Sequence, residues 1–343
     1  MPAPLPRPNP CETQVWRDAY DVCLSLERRC EHVNTPPSNG APRIVCARFL
    51  GYMILEAGDR GRHSFSSEIL GCGDDDTLQE LARLYITYFA HLFRARDRTP
   101  MHTPAPSRPS CNDTRELLVY LAKKTPQDYG AAKWKALVRD NFRCALTGKI
   151  EEICYRERLV LKEDVSADEY LDITATEAAY ILPESITAEI SDPSADNKIT
   201  KHDWAPGPRV LLGRFGHPPT AEELNGSDSN HISNILTMDI TKRAWFNSLK
   251  LWLEPTDVPD QYTPAAISSP YLSGVPPTIT FTNAHPDEDL PLLDPRYLRL
   301  HAICCRMFCP WHWGVSKPVE QLGDVRRYYV VKIPYATRLI AFM

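Results

Sequence analysis

The spacing of apolar residues predicts helices through the first third of the chain. Over residues 76–94, leucine, tyrosine and phenylalanine recur close to the helical period of about 3.6 residues. Asp74 and its two acidic neighbours open this stretch, where they suit the N-cap and the positive end of the helix dipole. Residues 15–29 have the pattern of a short amphipathic helix, and residues 43–56 are apolar and compatible with a helix. We therefore expect a helical domain over residues 13–97.

Prolines interrupt the pattern on both sides of this domain. The segment 1–12 is predicted to be a disordered, proline-rich tail, and the prolines of 98–112 predict a linker. Beyond the linker, the predicted elements are helices over 113–123, 131–142 and 296–308 and strands over 158–165, 249–254 and 278–282. The pattern thus predicts an α+β fold, with a second domain over 113–310 and an atypical C-terminal tail over 311–343.

The composition and net charge limit the kinds of protein to which this chain can belong. A formal charge of -5 over 343 residues argues against a protein that coats nucleic acid, although it leaves room for a local basic patch. The chain opens without the apolar segment of a secretory signal peptide, and it lacks an apolar run of about 20 residues that could span a membrane. We therefore expect an intracellular protein with no membrane partner, in which the 11 cysteines are reduced.

Three short motifs contain the candidate catalytic residues of the second domain. They are CALTG at residues 144–148, EAAYILP at 177–183 and NILTMDITKRAWF at 234–246. In order and spacing they resemble the HNH nuclease module, in the form found in many fungal proteins. The resemblance extends over roughly residues 43–309 and implies a ββα core, with two strands followed by a helix.

The resemblance also implies a reaction and the residues that perform it. HNH nucleases hydrolyse DNA phosphodiesters with a divalent cation such as Mg²⁺, Mn²⁺ or Zn²⁺. A histidine of the first strand is their general base, an asparagine between the strands holds the site in place, and a histidine of the helix helps to hold the cation. This chain retains the asparagine as Asn234, whereas Tyr180 stands at the general-base position and Arg243 at the metal-ligand position.

Both replacements are unfavourable for hydrolysis. A tyrosine phenol has an unperturbed pKa of about 10, against about 6.5 for histidine, so Tyr180 is a poor base near neutral pH. A guanidinium such as that of Arg243 has no acceptor lone pair and repels a cation. We therefore expect an HNH endonuclease-like protein in which catalysis is weak or lost.

Three other residues are candidate substitutes for the missing ligands. Glu177 lies in the first-strand motif, His231 lies just before the retained asparagine, and Asp239 precedes Arg243 by one helical turn. If they form a shifted site, the chain is a true nuclease. The structural alternative is that Tyr180 packs against other side chains, His231 is a surface residue and Arg243 pairs with Asp239.

Basic residues are the candidate contacts to DNA. They are Lys242 and Arg243 in the third motif, and Lys133, Lys135, Arg139 and Arg143 at the predicted helix before the first motif. An arginine can bind a phosphate bidentately, whereas the alternative for the predicted helix is an ordinary solvated face. A second possible function is a non-catalytic module that binds nucleic acid or another protein.

Overall fold

The structure, a computed structural model, describes residues 4–30, 41–93, 129–156, 172–182, 213–215, 231–286, 288 and 290–308. Helices and small β-sheets are mixed along the chain, which confirms the predicted α+β class. Four predicted segments lie outside these residues. They are the linker over 98–112, the helix over 113–123, the strand over 158–165 and the tail over 311–343. Among the described residues, no helix has the length and apolar character needed to cross a membrane.

Four helices form the N-terminal part of the described chain. They are α1 (Gln14–Cys30), α2 (Arg43–Glu56), α3 (Asp59–Leu70) and α4 (Asp75–Phe93). The three predicted helices are confirmed as α1, α2 and α4, and the Asp74 carboxylate accepts a hydrogen bond from the Thr77 amide at 2.8 Å, as expected for a cap. Helix α3 was not predicted, because its sequence is mostly polar and its buried apolar side chains are few.

The segment before α1 packs on the helices, so the prediction of a disordered tail was wrong for residues 4–12. Leu5 is 2% exposed, and its side chain occupies the space beside Gly51, where a Cβ atom would come within 2.5 Å of it. The hydroxyls of Tyr20 and Tyr52 donate to the carbonyl oxygens of Pro6 and Pro4, each at 3.1 Å. These long-range contacts order a segment whose composition alone is typical of disorder.

A buried carboxylate connects that segment to two helices. Glu27 of α1 is fully buried, and its Oε1 accepts hydrogen bonds from the Leu5 amide at 3.2 Å and from Arg48 Nε at 2.5 Å. Its Oε2 accepts from Arg7 Nη2 at 3.1 Å. Because a buried charge must be compensated, Glu27 fixes the positions of all three partners.

The next elements form a ββα unit with an accompanying helix. Strand β3 (Thr176–Tyr180) pairs antiparallel with β4 (Ile235–Asp239), and helix α7 (Ile240–Asn247) follows β4 directly. Helix α5 (Tyr129–Arg139) packs on the other face of this hairpin. The elements between α5 and β3 are β1 (Ile150–Glu151), α6 (Glu152–Arg156) and β2 (Ile173–Thr174).

A three-stranded antiparallel sheet and a helix complete the fold. The sheet contains β5 (Leu251–Pro255), β6 (Gln261–Ala266) and β7 (Ile279–Thr280), and α8 (Pro295–Phe308) packs against β5. The predicted strands at β5 and β7 and the predicted helix at α8 are confirmed. Strand β6 was not predicted, because it contains Pro264. Strand β7 pairs only with the first two residues of β6. The proline therefore lies where β6 has a single neighbouring strand, which is where a sheet tolerates it.

One cluster of buried side chains runs through most of these elements. It joins the N-terminal helices to the α7 side of the hairpin, to the sheet and to α8 through residues such as Phe49, Phe89, Leu236, Met238, Leu253 and Leu300. Arg306 of α8 reinforces this connection, since it pairs with Glu56 at 2.9 Å and with Glu254 at 2.6 Å. The ββα unit is therefore supported by both the helices and the sheet.

A buried histidine lies where α8 meets α7. His301 is 2% exposed, its ring stacks on Phe246 with a centroid separation of 3.8 Å, and its Nε2 lies 3.2 Å from the Phe246 carbonyl oxygen. Burial lowers the pKa of His301 from 6.5 to about 3. The imidazole is consequently neutral in the folded protein at any pH near neutrality.

We expect His301 to make the fold sensitive to acid. Because its folded pKa lies below the unfolded value, the unfolded chain binds the proton first, so stability is complete above about pH 6.5 and falls as the pH drops toward 3. At pH 5 the loss should be about 2 kcal/mol. Urea unfolding of the wild type and of His301→Gln at pH 7.5 and 5 measures this. Equal losses in the two proteins would show that other groups cause the acid sensitivity.

Candidate functional site

The three motifs of the second domain come together at the hairpin. In the β3–β4 ladder Thr176 lies opposite Asp239 and Tyr180 lies opposite Ile235. The first motif joins the same strand, because the Ala145 amide donates to the Thr237 carbonyl oxygen at 2.7 Å. The turn of the first motif and the two strands therefore lie side by side, and α7 follows the second strand directly.

Asn234 fixes the chain as it leaves β3. Its side-chain Oδ1 accepts from the Leu182 amide at 2.9 Å, and its Nδ2 donates to the Leu182 carbonyl oxygen at 3.0 Å. Its own carbonyl oxygen accepts from the Ile181 amide at 2.9 Å. The residue is completely buried, so this pair of hydrogen bonds is shielded from water. Asn234 thus holds the backbone next to Tyr180.

Arg243 is paired with a carboxylate of the first strand. Its Nη1 donates to Glu177 Oε2 at 2.5 Å, and its Nε donates to the Ala178 carbonyl oxygen at 3.1 Å. The predicted pairing of Arg243 with Asp239 was therefore wrong. The reason is that the guanidinium reaches across from α7 to β3, where a carboxylate and a carbonyl oxygen receive it together.

Asp239 has a structural role at the start of α7. Its Oδ1 accepts from the Lys242 amide at 2.9 Å and caps the helix, while its Oδ2 lies 3.8 Å from Cys144 Sγ. Burial raises the pKa of Cys144, which therefore remains a thiol. The Gly148 amide donates to the Cys144 carbonyl oxygen at 2.9 Å, and Gly148 has a φ of 72°, so the turn of the first motif favours glycine.

Tyr180 and Glu177 lie on opposite faces of β3. Tyr180 is half-buried and packs with Ala178 and Ile235 in the cluster that faces α5, which confirms the expectation that it packs. Glu177 contacts α7 on the other side of the hairpin through Arg243. Side chains three positions apart on a strand point in opposite directions, so the phenol and the carboxylate do not converge on one point.

The shifted site of His231, Asp239 and Glu177 is not assembled. His231 is exposed and precedes β4, with its Nδ1 2.8 Å from Ser233 Oγ, whereas Asp239 ends β4. The strand between them spans about 13 Å at the usual rise per residue, which is too far for shared ligands. Within the described ranges, no group of three or more histidine, cysteine, aspartate or glutamate side chains could hold a metal ion. The extended strand β4 therefore separates His231 from Asp239, although the two residues are close in sequence.

Two of the predicted DNA contacts are buried in the fold. Lys242 is 5% exposed, and its Nζ donates to the carbonyl oxygens of Tyr271 at 3.2 Å and Ser273 at 2.5 Å. Burial lowers the pKa of Lys242. Arg139 is 1% exposed and donates to the carbonyl oxygens of Ile232 and Ile235 at 2.7 and 2.8 Å. Both predictions were wrong, because these cations satisfy backbone acceptors inside the protein.

The other basic residues of α5 and its turn lie nearer the surface. Lys133 Nζ lies 3.9 Å from Glu151, and Arg143 Nη1 donates to the Gly148 carbonyl oxygen at 3.1 Å. Lys135 is half-buried on the same helix. Lys133 and Arg143 therefore contact groups of the protein itself. The contact of these basic residues with DNA stays a prediction.

Two cavities lie in the helical part of the chain. One of about 470 Å³ is lined by α1, α4 and the turn before α4, with Asp18, Asp21, Asp74 and Asp75 at its walls. The other, of about 310 Å³, is lined by the segment before α1 and by Trp16 and Arg62. Neither of these two cavities includes a residue of the hairpin or of α7.

The pairing of Arg243 with Glu177 was not predicted from the sequence. A usable signal was present, since Glu177 lies on the first strand of the motif and Arg243 on the helix that must pack against it. Comparisons with protein-family models, with characterised proteins and with solved structures found no match to this chain. Inferences about function therefore depend on the geometry of the site and on the motifs.

Proposed function

We propose that this protein is an HNH-like ββα protein that does not hydrolyse phosphodiesters and acts by binding. The observation that supports this most strongly is the ion pair of Arg243 with Glu177, at 2.5 Å, where the HNH pattern has a metal-ligand histidine. A cation and its activated water are what phosphodiester hydrolysis requires at this point. The guanidinium supplies positive charge there without a ligand atom.

The order of elements supports the HNH-like part of the proposal. The antiparallel pair β3–β4 followed by α7 is the arrangement that the motifs imply. Asn234 lies between the motif strands and holds the end of the first one through Leu182, as the resemblance implies for the family's asparagine. The supporting geometry is retained while the chemical groups are replaced.

The position of Tyr180 supports the non-hydrolysing part. Its phenol, with an unperturbed pKa of about 10, is a poor general base near neutral pH. Tyr180 also belongs to the packed face toward α5, while Arg243 and Glu177 belong to the face toward α7. A base and a phosphate bound at Arg243 are consequently separated by the strand.

The module is therefore proposed to bind a partner and not to catalyse a reaction. Two of the six candidate DNA contacts are buried in the fold, because Lys242 and Arg139 donate to backbone carbonyl oxygens inside it. We expect DNA binding to be weak, with a salt dependence that corresponds to about one or two phosphate contacts. A protein-interaction module is the alternative, and its DNA binding would be absent at any salt concentration.

The proposal predicts that the wild-type protein does not bind Mn²⁺ stoichiometrically at the hairpin. Arg243 repels a cation there, and Asp239 is occupied as a helix cap. Isothermal titration calorimetry with Mn²⁺ tests this, with Asp239→Asn as the comparison because asparagine retains the cap oxygen. One tightly bound Mn²⁺ in the wild type that is lost in Asp239→Asn would contradict the proposal.

A further inference from the structure

We propose that the groove between α3 and α4 is a recognition site for an arginine–phenylalanine segment of a peptide chain, and that this protein fills it with its own Arg214 and Phe215. Both residues belong to the connection between β3 and β4. The groove is formed by Gly61, Phe65, Glu68, Tyr85 and Phe89. None of these residues belongs to the three HNH-like motifs, so the inference does not rest on the proposed function.

The backbone of the segment lies directly against a glycine of α3. A Cβ atom placed on Gly61 would come within 1.7 Å of the Arg214 carbonyl oxygen. Glycine is a poor helix former, and Gly61 lies in the first turn of α3 without the positive φ that favours glycine. The close approach of the Arg214 backbone gives a reason for glycine at this position. The surface of α3 is thus shaped to receive a second segment of chain.

Both helices bind the guanidinium of Arg214. Its Nη2 pairs with Glu68 of α3 at 2.8 Å, and its Nη1 donates to the hydroxyl of Tyr85 of α4. The Tyr85 hydroxyl in turn donates to the Glu68 carboxylate, and burial raises the pKa of Tyr85, so the phenol keeps this proton. The guanidinium carbon also lies 5.3 Å from the ring centroid of Phe65. An arginine therefore completes a network of hydrogen bonds that spans the groove.

An aromatic pocket beside this network holds Phe215. Its ring centroid lies 5.7 Å from that of Phe65 and 5.5 Å from that of Phe89, and the residue is only 4% exposed. Arginine and aromatic side chains are enriched at the contacts between proteins, because each combines a large contact area with a specific geometry. The adjacent charged and aromatic side chains of this segment therefore have the character of a short peptide ligand.

The kind of partner follows from these contacts. It must present an arginine to Glu68 and Tyr85 and an aromatic ring in the next position, with a backbone that fits against Gly61. Because Arg214 and Phe215 are attached to the protein, they compete with any such partner at an effective concentration on the order of 1 mM. The docked segment is therefore an internal competitor, and a second peptide gains access to the groove only when the segment leaves it.

The test is a titration of the full-length protein with a fluorescent peptide of residues 210–219, followed by fluorescence anisotropy. The double variant Arg214→Ala, Phe215→Ala leaves the groove empty. We expect it to bind the peptide at least about ten-fold more tightly than the wild type, in which the attached segment competes. A peptide that carries both alanines should not bind. Equal affinities of the peptide for the wild type and the double variant would overturn the proposal.

Gly61 shows whether the peptide occupies the same groove. Adding Gly61→Ala to the double variant should abolish binding of the peptide, because the new Cβ atom takes the position of the docked backbone. Gly73→Ala is the matched control, since a Cβ atom there meets nothing within 4 Å, and it should leave the affinity unchanged. Binding that survives Gly61→Ala, or that is lost equally with Gly73→Ala, would contradict the assignment of the groove.

Proteolysis decides the question if the double variant does not fold. Trypsin cleaves after arginine, and the bond between Arg214 and Phe215 is protected while the segment is docked. As a single substitution, Gly61→Ala should speed this cut about ten-fold or more, whereas Gly73→Ala should not. The cut after Arg62 of α3 should keep its wild-type rate. An unchanged rate after Arg214, or an equal rise after Arg62, would overturn the proposal.

The mass of the protein in solution identifies the chain that supplies the segment. We expect light scattering to give the same mass for the wild type and for Phe215→Ala, since the segment docks within one chain. A dimeric wild type and a monomeric variant would assign the groove to a second copy and overturn occupation by the protein's own segment. Because none of these readouts involves metal, DNA or hydrolysis, this proposal and the proposed function can fail separately.

Discussion

Replacing Glu27 with alanine is expected to lower the free energy of unfolding by about 3–5 kcal/mol. The carboxylate is fully buried and accepts hydrogen bonds from Arg48, Arg7 and the Leu5 amide. Its removal takes the paired carboxylate away from Arg48 Nε, and Arg48 is only 7% exposed. Urea unfolding followed by circular dichroism measures the change.

The same experiment has a matched control and a local readout. Glu12→Ala removes an exposed carboxylate from the same end of the chain, and it should change the free energy of unfolding by less than about 0.5 kcal/mol. In the folded Glu27→Ala protein, the Leu5 amide should exchange its hydrogen faster than in the wild type. A loss below about 1 kcal/mol would mean that the ion pair does not stabilise the packing of the N-terminal segment.

The second large effect is expected at Asn234. Its replacement with alanine should cost about 2–4 kcal/mol, because the amide and the carbonyl oxygen of Leu182 both lose their hydrogen-bond partner inside the protein. Thermal or urea unfolding measures the loss. The conformation next to Tyr180 should change at the same time, which NMR chemical shifts of residues 180–182 would report.

Ser233 provides the control for this prediction. Its hydroxyl contacts His231 on the surface, so Ser233→Ala alters the neighbouring position without removing a buried hydrogen bond. We expect it to change the stability by less than about 0.5 kcal/mol. If Asn234→Ala were as mild as Ser233→Ala, the asparagine would not be what holds the end of β3.

The helices could be predicted because their signal is local. Apolar residues at helical spacing predicted 76–94, and an apolar composition compatible with a helix predicted 43–56; the structure has α4 at Asp75–Phe93 and α2 at Arg43–Glu56. The segment before α1 could not be predicted in this way. Leu5 and Glu27 are 22 positions apart, and their contact depends on the fold rather than on proline content.

The identities of the site residues could be predicted more readily than their contacts. The motifs indicated Asn234, Tyr180 and Arg243, and the structure brings the strands and the helix that carry them together. The partner of Arg243 was mistaken because Glu177 is 66 positions away along the chain, whereas the helical rule considers only close neighbours.

Burial explains the other errors at the site. Lys242 and Arg139 were assigned to a DNA surface because they are cations near the motifs, yet both donate to backbone carbonyl oxygens inside the protein. A sequence gives the charge of a residue without its exposure. Lysine and arginine are buried when hydrogen bonds compensate their desolvation, and those acceptors come from loops and strands distant in sequence.

A plasmid-cleavage assay with Mg²⁺, Mn²⁺ and Zn²⁺ tests the proposed loss of hydrolysis most directly. It compares the wild type with the double variant Tyr180→His, Arg243→His, which restores the two imidazoles of the HNH pattern. We expect the wild type to leave supercoiled plasmid intact with every metal, because Arg243 excludes a cation and Tyr180 is a poor base, and the double variant to nick it in a metal-dependent way. Efficient metal-dependent cutting by the wild type that survives Tyr180→Ala would contradict the proposal that this protein acts by binding.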